Sequence, residues 1–286
     1  MLPILLALGT AVGYGVANFL APVLGRRIPL ATVLLGSQLA GLVVSLVLAV
    51  GSDVGMGPLP LAFALVAGAT NAAALACFYR AGQVGDLSVL APIGSTGAIV
   101  PVLVGLAMGD RPSVVQLAGI PVALAGIVLA ARPARVRAPG PGASGAPPRA
   151  RTRGLGWVLM AAGFFGAFLT TYAVAARDSP VGALLWSRVA LVATTGLAVL
   201  ALRAAVRVGP RDALLTAVPG VLLALGTYAF GEASRLGLLS VVSVIATLNP
   251  VVTVLLAFLL LGERLAPPQR AGALLALVGV VMLAAG

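Results

Sequence analysis

Residues 244–261 read VIATLNPVVTVLLAFLLL, an uncharged apolar stretch long enough to cross a lipid bilayer as a helix. Asn249 and Pro250 lie in its middle, where a polar side chain is costly and a proline removes a backbone hydrogen bond. Such residues persist within a membrane helix where they are buried in protein or line a water-filled cavity. The stretch therefore predicts a membrane-spanning helix that is weakened at mid-depth and faces the interior of a helical bundle.

The composition of the whole chain indicates the same environment. Of its 286 residues, 60% are hydrophobic and 9% are charged, against about 25% charged residues in soluble proteins. Within lipid each apolar segment must satisfy its own backbone groups, so these segments are helices. We predict an all-α integral membrane protein with ten transmembrane helices, at roughly 2–24, 31–50, 60–80, 88–108, 114–131, 155–176, 182–202, 213–233, 240–261 and 268–286.

A basic segment divides these helices into two sets of five. Residues 132–153, RPARVRAPGPGASGAPPRARTR, are rich in arginine, proline and glycine and cannot form a packed core, so they are predicted to be a linker. The predicted domains are a five-helix repeat at 1–131, the linker at 132–153 and a second five-helix repeat at 154–286.

The two halves match one another at a nearly constant offset of 150 to 153 residues. The matching stretches include GYGVANFLAPVLGRR (13–27) with GFFGAFLTTYAVAAR (163–177), Ser37-Gln38 with Ser187-Arg188, and GDRPSVVQLAG (109–119) with GERLAPPQRAG (262–272). Because each half has an odd number of spans, the second half is expected to be inserted upside down. Two inverted repeats are typical of secondary transporters, whose substrate site lies near the membrane midplane.

This layout resembles the EamA-type transporters of the drug/metabolite transporter superfamily. The similarity rests on the five-plus-five arrangement, the aromatic residues that close the third and eighth spans, the mid-span proline of the ninth, and the Gly-Glu-Arg-Leu…Gln-Arg-Ala-Gly ending. It covers both halves except the linker. The resemblance implies ten helices, a central cavity lined mainly by spans 1, 3, 4, 6, 8 and 9, and export of small metabolites. Spans 5 and 10 are expected to pack closely through Gly119-x-x-x-Ala123 and Gly272-x-x-x-Ala276.

Polar residues within the spans are the candidates for a substrate path. At an offset of 152, Thr247-Leu248-Asn249-Pro250 overlies Ser95-Thr96-Gly97-Ala98, so both halves place hydroxyls and helix-weakening residues at mid-depth. The alternative is that these side chains form hydrogen bonds to neighbouring helices. The candidate path residues are Tyr14, Asn18, Asn71, Ser95, Thr96, Gly97, Tyr228, Thr247, Asn249 and Pro250.

Ionisable residues within the spans are candidates for gates, because charge in a membrane is costly. We expect Glu232 to pair with Arg188, with Arg235 as the alternative partner, and Arg80 to pair with Gln38, which gives one gate near each end of the cavity. Glu232 would also carry a proton if transport is proton-coupled; a static ion pair is the alternative. Asp110 and Glu263, in matching loops, are expected to stabilise the positive end of the helix that follows each.

The arginines bear on orientation. All 18 basic residues are arginine, and alternate loops place fourteen on the linker's face and four on the other (Arg111, Arg177, Arg188 and Arg235). The positive-inside rule then predicts a cytoplasmic linker with both termini outside, whereas the family resemblance implies cytoplasmic termini. Both orientations remain open. The expected location is the plasma or inner membrane of a bacterium.

Other functions fit the residues less well. The chain has no G-x-x-x-x-G-K-[ST] nucleotide loop, no histidine, one cysteine and seven acidic residues, which disfavours a pump or an intramembrane enzyme. A duplicated four-span multidrug exporter would need a glutamate in the first helix, and spans 1 and 6 have no carboxylate.

We predict a secondary transporter that exports small metabolites such as amino acids by alternating access, with a proton-coupled multidrug exporter as the alternative. It would need no cofactor or metal, would not bind nucleic acid, and would act as a monomer or homodimer, with protons as a candidate coupling ion.

Overall fold

The structure, a computed structural model, describes residues 1–25, 28–84, 93–132, 154–201, 203, 206, 209–261 and 265–286. Within these ranges the chain forms helices and no strand. Most of the predicted linker, residues 133–153, lies outside the described residues, and so does Glu263.

The helices lie on both sides of the predicted linker. The first half contains α1 (Leu2–Gly25), α2 (Leu30–Ala49), α3 (Pro58–Val84), a 3-10 turn (Ser95–Ala98), α4 (Ile99–Ala107) and α5 (Val114–Ala130). The second half contains α6 (Leu155–Ala176), α7 (Pro180–Ala201), α8 (Pro210–Leu236), α9 (Leu239–Ala246), α10 (Asn249–Leu261) and α11 (Pro267–Ala285).

Eight segments among the described residues are long and apolar enough to cross a membrane; they are α1, α2, α3, α6, α7, α8, α9 together with α10, and α11. They correspond to eight of the ten predicted spans. The predicted spans 88–108 and 114–131 contain shorter apolar helices, Ser95–Ala107 and Val114–Ala130. The 17 residues of α5 rise by about 26 Å, slightly less than the hydrocarbon thickness of about 30 Å. The chain is a multi-pass membrane protein.

The outer surface of the bundle is apolar, and alanine is the commonest residue among the described buried positions. Leu200, Leu259 and Val47 are more than 60% exposed, whereas Ala64 and Ala123 are fully buried. Membrane helices associate through small residues because lipid gives large apolar side chains no reason to turn inward. This distribution is what a lipid-facing surface predicts.

The predicted weak point of the ninth span is a helix break. Helix α9 ends at Ala246, Thr247 and Leu248 form a turn, and α10 begins at Asn249. Pro250 therefore occupies the first turn of α10, where its missing N–H removes no helical hydrogen bond. At the equivalent position of the first half, the 3-10 turn Ser95–Ala98 precedes α4, so both halves are irregular at the same place.

The most extensive helix packings between the halves occur in reciprocal pairs. Helix α1 packs on α8 as α3 packs on α6; α2 packs on α8 as α3 packs on α7; and α1 packs on α10 as α4 packs on α6. The equivalent helices α2 and α7 contact each other directly, and so do α5 and α11. Such reciprocal contacts are those that a twofold axis between two similar units produces.

The closest backbone approaches also occur in reciprocal pairs. A Cβ atom at Gly68 would meet the carbonyl oxygen of Ser187, and one at Gly220 would meet that of Ser37. The last helices of each half pack equally closely, as predicted from their glycine spacings: Gly119 lies against the α11 backbone and Gly272 against Ala130. Glycine at these positions allows the helix axes to approach closely.

Asp110 connects the two halves through a helix end. Its Oδ2 accepts hydrogen bonds from the backbone N and the Oγ of Ser240, both at 2.8 Å. Ser240 is the second residue of α9, so the carboxylate stabilises the positive end of α9. The expectation that Asp110 serves the following helix, α5, was wrong about the helix: Ser113 caps α5 by accepting a hydrogen bond from the backbone N of Gln116.

We expect Asp110→Ala to lower the free energy of unfolding by about 2 kcal/mol, because two charge-assisted hydrogen bonds to a helix N-terminus are lost. Thermal unfolding in detergent micelles measures the change. The control is Asp53→Ala, since among the described residues the exposed Asp53 carboxylate accepts only from the backbone N of Gly55, two residues along the chain. Equal melting temperatures for the two variants would show that the Asp110 contact contributes no stability.

Candidate functional site

The predicted path hydroxyls of Thr96 and Thr247 bond to their own helices. Thr96 Oγ1 donates to the carbonyl oxygen of Ile93 at 2.7 Å, and Thr247 Oγ1 contacts those of Ser243 and Val244, each at 3.0 Å. Thr247 is buried. Serine and threonine form such backbone bonds readily inside helices, so their presence in a span does not by itself indicate a cavity.

The other predicted path residues differ widely in exposure. Asn18 is exposed on α1, Gly97 is buried, and Ser95, Asn71, Tyr228, Asn249 and Pro250 are half-buried. The backbone oxygen of Asn249 lies close to Gly15 of α1 and accepts a hydrogen bond from Thr253 Oγ1 at 2.9 Å. Tyr14 is buried and bridges two helices, because its hydroxyl lies 2.9 Å from Thr227 Oγ1 on α8.

Arg188 lies at the centre of the described polar contacts. Its side chain, on α7, is 3% exposed. Nη1 donates to Gln38 Oε1 at 2.9 Å, and Nη2 donates to the backbone oxygen of Leu223 and to Thr227 Oγ1, both at 2.8 Å. One guanidinium therefore connects α7 with α2 and α8.

Thr227 extends this network to α1. Its hydroxyl donates to the backbone oxygen of Leu223 at 2.6 Å and accepts from Arg188. A hydroxyl has one hydrogen to donate, so Tyr14 must be the donor in its hydrogen bond with Thr227. We call Tyr14, Gln38, Arg188, Thr227 and the backbone oxygen of Leu223 the central polar cluster; it joins α1, α2, α7 and α8.

Gln38 and Arg188 are equivalent positions of the two halves. They lie 150 residues apart and are matched by the Ser-Gln and Ser-Arg pairs in the sequence. Equivalent residues of two units related by a twofold axis touch each other only at that axis. The central polar cluster therefore lies where the two halves meet.

The two predicted gate pairs are wrong. Glu232 pairs with Arg235, the alternative partner, at 2.9 Å, and also accepts from the hydroxyl of Tyr228 at 3.3 Å. Arg80 is exposed and donates to Gln83 at 3.1 Å, while Gln38 accepts from Arg188. Each actual partner lies three residues away on the same helix. Such a contact costs less conformational entropy than a contact between two helices, because the helix already holds both residues close together.

Sequence reasoning missed Thr227, which belongs to the central polar cluster, and Tyr172, which packs on the same helix as Thr227. Tyr172, on α6, is fully buried, and its hydroxyl has no hydrogen-bond partner among the described residues. Its ring packs on Phe168 and Phe230, with centroid distances of 5.9 and 6.3 Å. The Tyr172 hydroxyl lies 3.2 Å from the position of a Cβ at Gly231, one helical turn after Thr227. The tyrosine within the apolar run of span 6 was the available signal.

Comparison with known protein families identifies the second half. The sequence model of the EamA-like transporter family matches residues 152–285. Residues 152–285 are therefore similar to the EamA-like transporter family. The EamA-like half thus contributes Arg188, Thr227 and Tyr172, and Tyr14 and Gln38 come from the half that precedes it.

A solved structure shares the fold along nearly the whole chain. It is described as "Crystal structure of protein", has 16% sequence identity and a TM-score of 0.80, and the match covers 98% of this chain and 95% of that one. At this identity the similarity shows the fold alone. No curated protein sequence matches the chain.

The described residues hold no group of three or more histidine, cysteine, aspartate or glutamate side chains arranged to bind a metal ion. The central polar cluster itself offers hydrogen-bonding groups, one guanidinium charge and the ring of Tyr14. Such a site can bind and orient a small molecule.

Proposed function

We propose that the protein is a secondary transporter that moves a small metabolite across the membrane by alternating access, with the central polar cluster as its substrate site. The observation that carries this proposal is the contact of Arg188 with Gln38, equivalent residues that meet in the interior of a chain whose second half is EamA-like. Transporters built from repeats bind substrate near the midplane, where the repeats meet.

The proposed architecture is two inverted five-helix repeats, residues 1–131 and 154–286, joined by the linker at 132–153. The reciprocal helix contacts and the paired approaches of Gly68 to Ser187 and Gly220 to Ser37 support a twofold relation between the repeats. An odd number of spans in each repeat then requires opposite insertion. When the two repeats exchange conformations, the cavity opens to the opposite side of the membrane. Because the repeats are similar, the two states are similar in energy, which is the basis of alternating access.

The irregular segments are the proposed hinges of this motion. The turn at Thr247 and Leu248 and the 3-10 turn Ser95–Ala98 occupy equivalent places in the two halves. Hinges are a few residues at element ends that absorb backbone changes. The predicted path residues Ser95, Thr96, Gly97, Thr247, Asn249 and Pro250 lie at these turns or beside them, so their proposed contribution is to movement as well as to lining the path.

Amino acids or similarly small polar or amphipathic metabolites are the proposed substrates, and export from a bacterial cell across its plasma or inner membrane is the proposed direction. Proton coupling through Glu232 is proposed as the energy source. Its side chain is 19% exposed and is paired with Arg235, so it has contact with solvent and with a neighbouring charge. The protein would act as a monomer or homodimer.

Counterflow in proteoliposomes tests the transport proposal. Liposomes that contain the purified protein and an excess of unlabelled amino acid are expected to accumulate the labelled amino acid transiently, and protein-free liposomes are not. We expect Asn249→Ala to reduce the counterflow rate, because Asn249 lies beside the proposed hinge and path. We expect Glu232→Gln to remove the pH dependence of counterflow. Sugars and a lipophilic cationic drug complete the panel.

Three results would contradict parts of this proposal. Counterflow of the lipophilic cation alone would favour a multidrug exporter, and conversion of a compound without accumulation would indicate an enzyme. Unchanged flux and unchanged pH dependence in Glu232→Gln would exclude proton coupling through that residue.

A further inference from the structure

The charge of Arg188 has no acidic partner among the described residues. The five described carboxylates lie elsewhere: Asp53 accepts from Gly55, Asp110 from Ser240, Asp178 from Gly57 and Glu232 from Arg235, and Asp212 lies in the first turn of α8. The ligands of Arg188 are instead an amide oxygen, a hydroxyl and a backbone carbonyl. These groups satisfy hydrogen bonds but leave a buried net positive charge, which within a membrane is costly and marks a functional position.

Arg188 also retains donors. A guanidinium group has five N–H groups, and three donate to Gln38, Leu223 and Thr227. The described residues supply no acceptor for the remaining two, one on Nη1 and one on Nε. A buried cation that keeps donors and lacks a counter-charge is suited to bind an anion.

A second buried donor packs on the same helix, α8. The hydroxyl of Tyr172 is fully buried without a partner among the described residues, although buried polar groups are normally hydrogen-bonded. Tyr172 contacts α8 at Gly231, and Arg188 contacts α8 at Thr227. Thr227 and Gly231 are four residues apart and so lie on one face of α8, about 6 Å apart along its axis.

We propose that Arg188 binds the carboxylate of an amphipathic substrate and that the Tyr172 hydroxyl donates a further hydrogen bond to the same molecule. This inference rests on the proposed function, which it extends to a substrate class: small monocarboxylates that carry an apolar body. The body would lie against the rings of Phe168, Tyr172 and Phe230, which pack on one another in series.

Gln38 provides an isosteric test of the charge argument. Its Oε1 lies 2.9 Å from Nη1 of Arg188, so Gln38→Glu places a carboxylate beside the guanidinium with little change in shape. If Arg188 lacks a counter-charge, the new carboxylate supplies it within the protein. The variant is then expected to melt at a higher temperature than the wild type and to bind an external carboxylate at least about tenfold more weakly, a factor that corresponds to ~1.4 kcal/mol.

The experiment compares two probes that differ in one charge. The melting temperature of the purified full chain in detergent is measured with sodium benzoate, with benzamide and with inorganic phosphate, at equal ionic strength. Benzoate is expected to raise the melting temperature, and benzamide and phosphate are not. Arg188→Met and Gln38→Glu are each expected to abolish or greatly weaken the effect of benzoate.

The chain contains a matched control for the substitution of glutamine by glutamate. Gln83 accepts a hydrogen bond from Arg80 at 3.1 Å on the exposed surface of α3. Gln83→Glu therefore creates the same chemical pair in an exposed position, where an ion pair contributes little. This variant is expected to melt close to the wild type and to keep the full response to benzoate.

Several outcomes would overturn the carboxylate site. They are equal stabilisation by benzoate and benzamide, stabilisation by phosphate in place of benzoate, no response to benzoate, and wild-type binding of benzoate by Gln38→Glu. A different result would contradict the proposed function alone. If benzoate specifically stabilises the protein but no compound shows counterflow, the carboxylate site stands and the transport assignment fails.

Discussion

Gly220→Ala is expected to destabilise the bundle strongly. A Cβ atom at this position of α8 would meet the backbone carbonyl oxygen of Ser37 on α2 and would lie 2.8 Å from the Cβ of Ala40. Neither atom belongs to a flexible side chain, so the two helices must separate. Overpacking of this kind costs about 1–3 kcal/mol, and here the separation would also pull apart the hydrogen bond between Gln38 and Arg188.

The repeat supplies a second test of the same interface. Gly68→Ala, at the equivalent place in the first half, would meet the backbone of Ser187 and Leu191 on α7, and a loss of similar size is expected. Gly163→Ala is the control, because a Cβ at this helical position has no neighbour within 4 Å. Melting temperatures in detergent measure all three variants, and a Gly220→Ala protein that melts with the wild type would refute the close approach of α2 and α8.

Thr227→Val is expected to disrupt the central polar cluster while preserving its shape. The substitution removes an acceptor shared by Arg188 and Tyr14, so one N–H of the buried guanidinium and the Tyr14 hydroxyl lose their partner. The expected loss is about 3 kcal/mol of stability, together with a fall in counterflow rate of at least about tenfold if the cluster binds substrate.

The control for this variant is Thr194→Val on α7. Within the described part of the chain, the Thr194 hydroxyl contacts only the carbonyl oxygens of Ala190 and Leu191 in its own helix, so its loss leaves no described group of another helix unsatisfied. Thermal unfolding and counterflow are measured on both proteins. Equal behaviour of the two valine variants would show that the hydroxyl of Thr227 is not required by Arg188.

The predictions that rested on backbone chemistry agree with the structure. Asn249 and Pro250 predicted a weak point in the ninth span, and the helix breaks directly before them. The glycine spacings of the last span of each half predicted close packing, which Gly119 and Gly272 show. These features depend on the N–H that proline lacks and the Cβ that glycine lacks. Their effect on the backbone does not depend on the neighbouring helices, so the sequence alone predicts it.

The side-chain partners could not be predicted in the same way. In spans that are apolar on every side, the hydrophobic pattern does not show which face turns inward, so the rotation of each helix is undetermined. The alignment of the two halves matched Gln38 with Arg188, but an alignment does not show whether two matched residues contact each other. Glu232 and Arg80 were assigned to partners on other helices, although residues three positions away on their own helices satisfy them.

The membrane sidedness of two equivalent loops tests the proposed inverted repeat most directly. Single cysteines are introduced in a Cys77→Ala background at Ser52, in the loop after α2, and at Arg203, in the loop after α7; both positions are exposed. Intact cells are then treated with a membrane-impermeant thiol reagent, before and after permeabilisation. Inverted repeats predict that one cysteine is labelled in intact cells and the other only after permeabilisation, and the arginine distribution predicts that Ser52→Cys is the external one. Labelling of both cysteines from the same side would contradict the inverted repeat and, with it, the proposed mechanism of transport.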